Sequence, residues 1–362
     1  MYLGRTLHRT PSRSFETVPM SSARSGHPLA MRLSFVLLAV FALATPASLA
    51  QSRTTTAFDL VRLDLSARAA ALAGTGQALP GDDPTAATYN PALLGDAHDR
   101  QLAVGYVNHL ADVNAGSATY ARRVPSVGLV AGTIRFLSYG DFERSTVAEG
   151  STGDTFGASE TAISVSAARE VTPGVQVGAN VHALFASLDD ANSQALAADL
   201  GVAYQVPEEG LVLSASVHHV GAMLSSLGET RDRLPLDVRV GVSNRLQYLP
   251  LTISVMAYDL QSFDSEPSTL GPDGEEVGGT TALDQVRDHL ALGGELQLGS
   301  SLAARLGYHP RRGAALRTGG RLDLAGVSAG FGISLKRVGV DYAYTGWSAF
   351  GGLHQFGVRT RL

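Results

Sequence analysis

Val175-Gln-Val-Gly-Ala-Asn-Val-His-Ala-Leu-Phe185 is the stretch that decides the fold. Val175, Val177, Ala179, Val181, Ala183 and Phe185 alternate with Gln176, Gly178, Asn180 and His182, so a strand through them has one apolar face and one small or polar face. The pattern returns where Leu236, Val238, Val240 and Val242 alternate with Asp237, Arg239, Gly241 and Ser243. It returns again where Leu290, Leu292, Leu296 and Leu298 alternate with Ala291, Gly293, Glu295 and Gln297. A soluble sandwich alternates in the same way, but its strands average about five or six residues. These runs reach about ten, the length a tilted strand needs to cross a bilayer.

The connections supply the topology. Short ones fall at Val124-Pro125, Val171-Thr-Pro173, Pro207-Glu-Glu-Gly210, Tyr248-Leu-Pro250 and Gly299-Ser300, and all but the last carry a proline that stops a strand. Between them lie His109–Ala115, Tyr139–Ser159, Leu188–Ser193, Gly221–Leu234 and Phe263–Asp288, polar or Gly-rich and expected as loops. Such alternation of turns and loops is that of an outer-membrane barrel, with turns on the periplasmic side. Counting Ala314–Leu324 as a spanning strand gives an odd total, which single-chain bacterial barrels avoid. Placing Arg311–Ala325 outside as an excursion with its own short hairpin gives about 14 strands, an all-β transmembrane antiparallel barrel, with Lys336-Arg337 as a periplasmic turn. In the last strand Phe356, Val358, Thr360 and Leu362 face one way, and Gln355, Arg359 and Arg361 the other.

The chain has 362 residues, 40 glycines and no cysteine, which excludes a disulfide scaffold and any thiolate metal site. Leu33–Leu49, preceded by Arg32 and ended by Ser48-Leu49-Ala50, has the form of a secretory signal. The expected division is therefore 1–30 as a mis-assigned N-terminal extension, 31–50 as signal peptide, 51–99 as an N-terminal segment inside the barrel, and 100–362 as the barrel. Residues 1–50 carry five arginines and one glutamate, so their removal takes the net charge from −5 to −9. An acidic chain is a poor binder of nucleic acid, and none is expected as a partner. After Ala50 no apolar run of about 18 residues occurs. Membrane insertion therefore requires a closed sheet, and outer-membrane lipid is its expected surround.

Residues from Phe58 to Asp99 do not alternate. Ser66-Ala-Arg68-Ala-Ala-Ala-Leu72 is helix-prone, Gly74 and Gly76 break it, and Asp82-Asp83-Pro84 and Tyr89-Asn90-Pro91 start turns. This stretch, set between a signal and a long β-pattern, resembles the N-terminal motif of the PorV/PorQ family of type IX secretion outer-membrane proteins, which are FadL-like barrels. Phe136-Leu-Ser-Tyr139-Gly140-Asp141-Phe142 with Gly153-Asp-Thr-Phe156-Gly157-Ala-Ser-Glu160 makes it most similar to the PorQ branch. The resemblance implies fourteen strands and a plug formed by residues 51–99. It also implies a non-enzymatic role beside the cell-surface attachment machinery for secreted cargo, with other type IX secretion and attachment-complex proteins as partners. A FadL-like channel for hydrophobic small molecules is the alternative.

The plug motif residues Ser66, Arg68, Gly74, Asp82, Asp83, Tyr89, Asn90 and Pro91 either contact a ligand or partner or simply cap and turn the plug. Tyr139, Asp141, Phe142, Phe156, Asp273, Glu275 and Glu276 lie on expected outer loops and are candidate partner-binding residues; a solvated acidic loop and an aromatic girdle are the plainer readings. No His or carboxylate pair has metal-ligand spacing on a plausible helix, so no metal is expected, and no cofactor. His109 with Ser117 and His218 with Ser216 are the weighed catalytic pairs. Neighbouring Ser and His in a β-ladder are common and no nucleophile elbow is present, so no enzymatic activity is expected.

Overall fold

The computed structural model describes residues 58–108, 113–146, 150–206, 208–228, 233–262, 269–270, 276–277, 282–316, 324–348 and 351–362. The expected extension and signal peptide, Asp273 and Glu275 lie outside them.

Fourteen antiparallel strands close into one barrel. In chain order they are β1 Gln101–Asn108, β2 Asn114–Val124, β3 Gly128–Thr146, β4 Gly150–Thr172, β5 Val175–Leu188, β6 Ala191–Val206, β7 Leu211–Ser225, β8 Asp237–Arg245, β9 Leu251–Ala257, β10 Leu290–Leu298, β11 Leu302–Tyr308, β12 Val327–Leu335, β13 Val338–Ser348 and β14 Gly351–Arg361. β1 pairs with β14 from Gln101↔Arg361 to Asn108↔His354, so no edge is left. Val104, Ile134, Ile163, Val181, Leu200, Leu306 and Phe356 all point outward and are exposed. An apolar outer wall on a closed sheet belongs in a bilayer, and this is an outer-membrane barrel.

The expected turns hold at Pro173-Gly174, Glu208–Gly210, Gly299-Ser300 and Lys336-Arg337. Several outer connections differ from expectation: β6 already starts at Ala191 within Leu188–Ser193, β7 runs to Ser225 within Gly221–Leu234, and three others depart further. Tyr139–Ser159 is expected as a loop, yet β3 runs on to Thr146 and β4 already begins at Gly150, with a register shift between Ser138 and Asp141. Gly140, at φ +80°, accommodates the extra residue that lets the ladder resume. The expected hairpin within Arg311–Ala325 is replaced by helix α3, Pro310–Leu316: proline pre-sets the first helical φ, and Ala314-Ala315-Leu316 favour a helix. The Phe263–Asp288 connection contains helix α2, Ala282–Asp288, and a two-residue ladder, Thr269–Leu270 with Glu276–Val277.

Residues 58–100 fill the lumen. Their one α-helix, α1 (Ala67–Ala71), is followed by 3₁₀ turns that begin where the prolines do, at Pro84–Thr88 and Pro91–Leu93. Inward-facing glycines on the wall receive this segment. A Cβ on Gly105 would lie 2.5 Å from Leu65 O, one on Gly293 2.6 Å from Thr75 Oγ1, one on Gly330 2.6 Å from the Ala71 methyl, and one on Gly241 2.8 Å from Gln77 Cγ. Gly178 and Gly307 meet the plug backbone at Pro91 and at Leu72-Ala73. The glycine content of the strands is thus a seat for the plug.

Candidate functional site

The eight plug motif residues act within the plug and on the wall. Ser66 caps α1 and donates to Asp83 Oδ2 at 3.0 Å, while Asp83 Oδ1 accepts from Thr85 N at 3.0 Å. Asn90 is fully buried: its Oδ1 accepts from Ala92 N at 2.9 Å, and its Nδ2 donates to Val202 O and Ala215 O on β6 and β7. Gly74, at φ +84°, turns the chain after α1 with the Asp64 carboxylate packed against it. The Tyr89 ring covers Gly76, and Pro91 lies on Gly178. These contacts favour the capping-and-turning reading of the motif.

Arg68 and Asp82 are the ends of a chain of charges. Arg68 binds Glu295 on β10 through Nη2 and Nε, at 2.7 and 2.9 Å. Arg305 on β11 bridges Glu295 Oε2 and Asp341 Oδ1 on β13, at 2.7 and 2.6 Å. Arg359 on β14 pairs with Asp341 and, at 3.2 Å, with Asp82. Alternating partners satisfy each other here, and the plug is tied to four strands at two points of its own sequence.

Above α1 a cavity of about 640 Å³ opens at the end of the barrel opposite the short turns. Leu63, Leu65 and Ala73 of the plug form its floor; Val107, Leu137, Met256 and Leu353 form its wall; Tyr258, Leu316 and Trp347 form its rim. Two of its Arg–Asp pairs are mutually neutralised: Arg239 with Asp237 at 2.6 Å and Arg311 with Asp259 at 3.0 Å. Asp237 also accepts from Asp259 N, and Tyr258 donates to Asp288 O. Asp59, Arg62, Asp64 and Arg312 line it as well, so the bowl joins an apolar wall to charged groups beyond those two pairs. The N-terminal end of the plug is fixed just below: Glu160 accepts from Leu60 N at 2.8 Å and from Tyr139 OH at 2.8 Å, and Arg135 donates to Leu60 O. Sequence reasoning missed this bowl, because its lining comes from the plug, seven strands and α3.

The outer candidate residues fall apart as a group. Phe142 and Phe156 stack at 5.4 Å across β3 and β4, with the Arg144 guanidinium 5.6 Å from the Phe156 ring. Asp141 lies beside them, opposite Gly157. Tyr139 points instead toward Glu160 and the plug. Glu276 is in the small ladder.

Of the weighed catalytic pairs, His109 lies outside the described residues, while His218 and Ser216 do meet. Ser216 Oγ is 2.6 Å from His218 Nε2, and His218 Nδ1 is 3.2 Å from Asp199 Oδ2. The order of groups is that of a hydrolase triad, yet Ser216 is 1% exposed and Gln77 Nε2 of the plug donates to it at 2.8 Å. A hydroxyl sealed in this way has no face for a substrate.

These features define a plugged, fourteen-stranded outer-membrane barrel with an apolar bowl at its outer mouth. Comparison with protein-family models gives no match, and comparison with curated proteins gives none. Among solved structures, the Pseudomonas putida toluene transporter TodX superposes with TM-score 0.51 at 12% identity, over 84% of this chain and 98% of TodX. A deltaS2S3 mutant of the TodX monoaromatic hydrocarbon channel gives TM-score 0.52 at 11% identity, over 79% and 96%. A Pseudomonas aeruginosa FadL homologue gives 0.46 at 12% identity, over 86% and 99%. The fold is that of TodX, a closed barrel of the same kind.

Proposed function

We propose that the protein is an outer-membrane channel for hydrophobic small molecules, which it takes up at the outer bowl. The 640 Å³ cavity carries this reading: it has the volume of a small-ligand site, and Leu63, Leu65, Val107, Leu137, Met256 and Leu353 give it an apolar wall. Fold neighbours described as a toluene transporter and a monoaromatic hydrocarbon channel support it. The type IX reading rests on the plug motif and the Tyr-Gly-Asp-Phe block. The caps, turns and wall contacts of the motif also account for its residues without a partner. What still favours it is the projecting β3–β4 ribbon with its stacked Phe142 and Phe156.

One pair of strains separates the two. Replacing Met256 by Glu puts a charge in the bowl wall; uptake of a radiolabelled monoaromatic hydrocarbon should fall at least about tenfold, since an unpaired buried charge costs several kcal/mol. Shortening the β3–β4 ribbon should leave that uptake intact. Loss of surface-attached secreted cargo in the ribbon strain, with unchanged uptake in Met256→Glu, would overturn the channel reading in favour of the secretion one.

A further inference from the structure

Three adjacent strands bring imidazoles and a carboxylate to one buried point. Ala198 pairs with Val220 and Leu200 with Val217, so Asp199 on β6 faces two residues of β7, His218 and His219. His219 is at φ +58°, and this bulge turns both histidines into the lumen, where they are 1% and 6% exposed. Asp199 Oδ2 lies 3.2 Å from His218 Nδ1, and one ligand atom from each of Asp199, His218 and His219 falls within 4.8 Å of the others. Around a tetrahedral zinc-class ion, with bonds of roughly 2.0–2.2 Å, ligand atoms stand roughly 3.3 Å apart. Asp199 and His218 already stand at that spacing, and His219 would close a gap of at most about 1.5 Å to join them.

The surroundings are those of oriented ligands. His219 Nδ1 is 2.9 Å from Pro235 O, a carbonyl that can only accept, so Nδ1 carries the proton and Nε2 keeps its lone pair. His218 Nε2 is held by Ser216 Oγ at 2.6 Å. His182 Nε2 contacts Asp199 Oδ2 at 2.8 Å, and its Nδ1 is held by Ser164 Oγ at 2.6 Å. Asn180 Nδ2 and His219 N also donate to Asp199, at 2.9 and 2.8 Å. Asp199 is 1% exposed, and its hydrogen-bond and ion-pair partners are these amides and imidazoles, with no Lys or Arg among them. The imidazoles and donated hydrogen bonds offset part of the cost of burying this carboxylate, and a bound cation would offset more.

We propose that Asp199, His218 and His219 bind one divalent transition metal of the zinc class, with His182, Ser164 and Ser216 as positioning residues. The ion would lie between β6 and β7, and its ligand His218 is two hydrogen bonds from the plug, through Ser216 to Gln77. The site is independent of what the channel carries.

The test uses the mature barrel, both extracted from outer membranes and refolded from urea into detergent with Co²⁺ present, so that burial does not bar the ion. Metal content and the visible Co²⁺ absorption are read on protein that resists SDS as a folded barrel. One ion per chain, with the intense absorption of a tetrahedral site displaced by Zn²⁺, is expected. His219→Gln and Asp199→Asn should abolish it while the barrel folds, and Ser216→Ala should weaken affinity roughly 10–100-fold as a positioning residue does. If either substituted barrel fails to fold, wild-type stoichiometry and absorption decide. Folded wild type holding substoichiometric metal, an octahedral spectrum, or undiminished binding in His219→Gln would overturn the proposal.

Discussion

His309 caps the outer end of β11, where its ring lies 5.0 Å from Tyr258 and its Nδ1 accepts from Arg312 N at 3.2 Å. Burial, and after it Arg312 and Arg311, push its imidazole down to about 3. In an unfolded rim it would titrate near 6.5. Below about pH 6.5 the loosened form takes up a proton that the packed form resists, so the packed rim loses stability as pH falls toward 3; above pH 7 it should be flat. Hydrogen exchange across α3 should therefore speed up in acid, and His309→Phe should remove the dependence on pH. At Gly293 the effect is steric. Its Cβ would meet Thr75 Oγ1 at 2.6 Å and Ser254 Oγ at 2.7 Å, both buried, so Gly293→Val should cost about 1–3 kcal/mol in urea unfolding. The same substitution at Gly132, where a Cβ meets nothing within 4 Å, should cost little.

For the strands, the test is side-chain direction. Val181 faces outward and is 61% exposed, whereas Asn180 and His182 beside it are buried inside. Val181→Arg near mid-bilayer should destabilise by about 2–4 kcal/mol. In an open lumen the inward positions would tolerate change; here Asn180 donates to Ala87 O of the plug and to Asp199, so Asn180→Leu should also be costly, measured in the same refolding assay. The faces were legible because a strand repeats every two residues, and Val175–Phe185 shows that period without interruption. Three features were hidden. Gly140 looks like a loop residue but bulges a continuing strand. Pro310 looks like a breaker but starts a helix. His218-His219 looks like two opposite faces, because a period of two cannot register the bulge that turns both inward. The plug motif was visible as turn chemistry, since Ser66, Asp83 and Asn90 precede the elements they cap. The outer bowl was not, since no local pattern encodes a space between distant segments.

The molecule as a whole depends on the joint between plug and wall. Arg68, Glu295, Arg305, Asp341, Arg359 and Asp82 form one chain of alternating sign that begins and ends on the plug. Cutting it at Glu295→Gln leaves Arg68 and Arg305 without a carboxylate at that point, both nearly buried. Such a loss typically costs about 3–5 kcal/mol, here charged to the seating of the plug because the backbone ladder is untouched. Single-channel recordings should show larger or more frequent openings to small ions in Glu295→Gln, with the barrel still resistant to SDS. Recordings unchanged from wild type would mean that steric fit alone holds the plug.

The ring of inward glycines also dictates an order of manufacture. A plug that touches Gly105, Gly178, Gly241, Gly293, Gly307 and Gly330 with less than a methyl group of clearance cannot be threaded into a finished cylinder. The wall must be wound around it, as hoops are drawn onto a stave, and the last seam to shut is β1 against β14, where Leu362 N reaches Arg100 O at 2.9 Å. Residues 58–100 are the first described part of the chain to be made, so the segment around which the wall closes exists before the staves do.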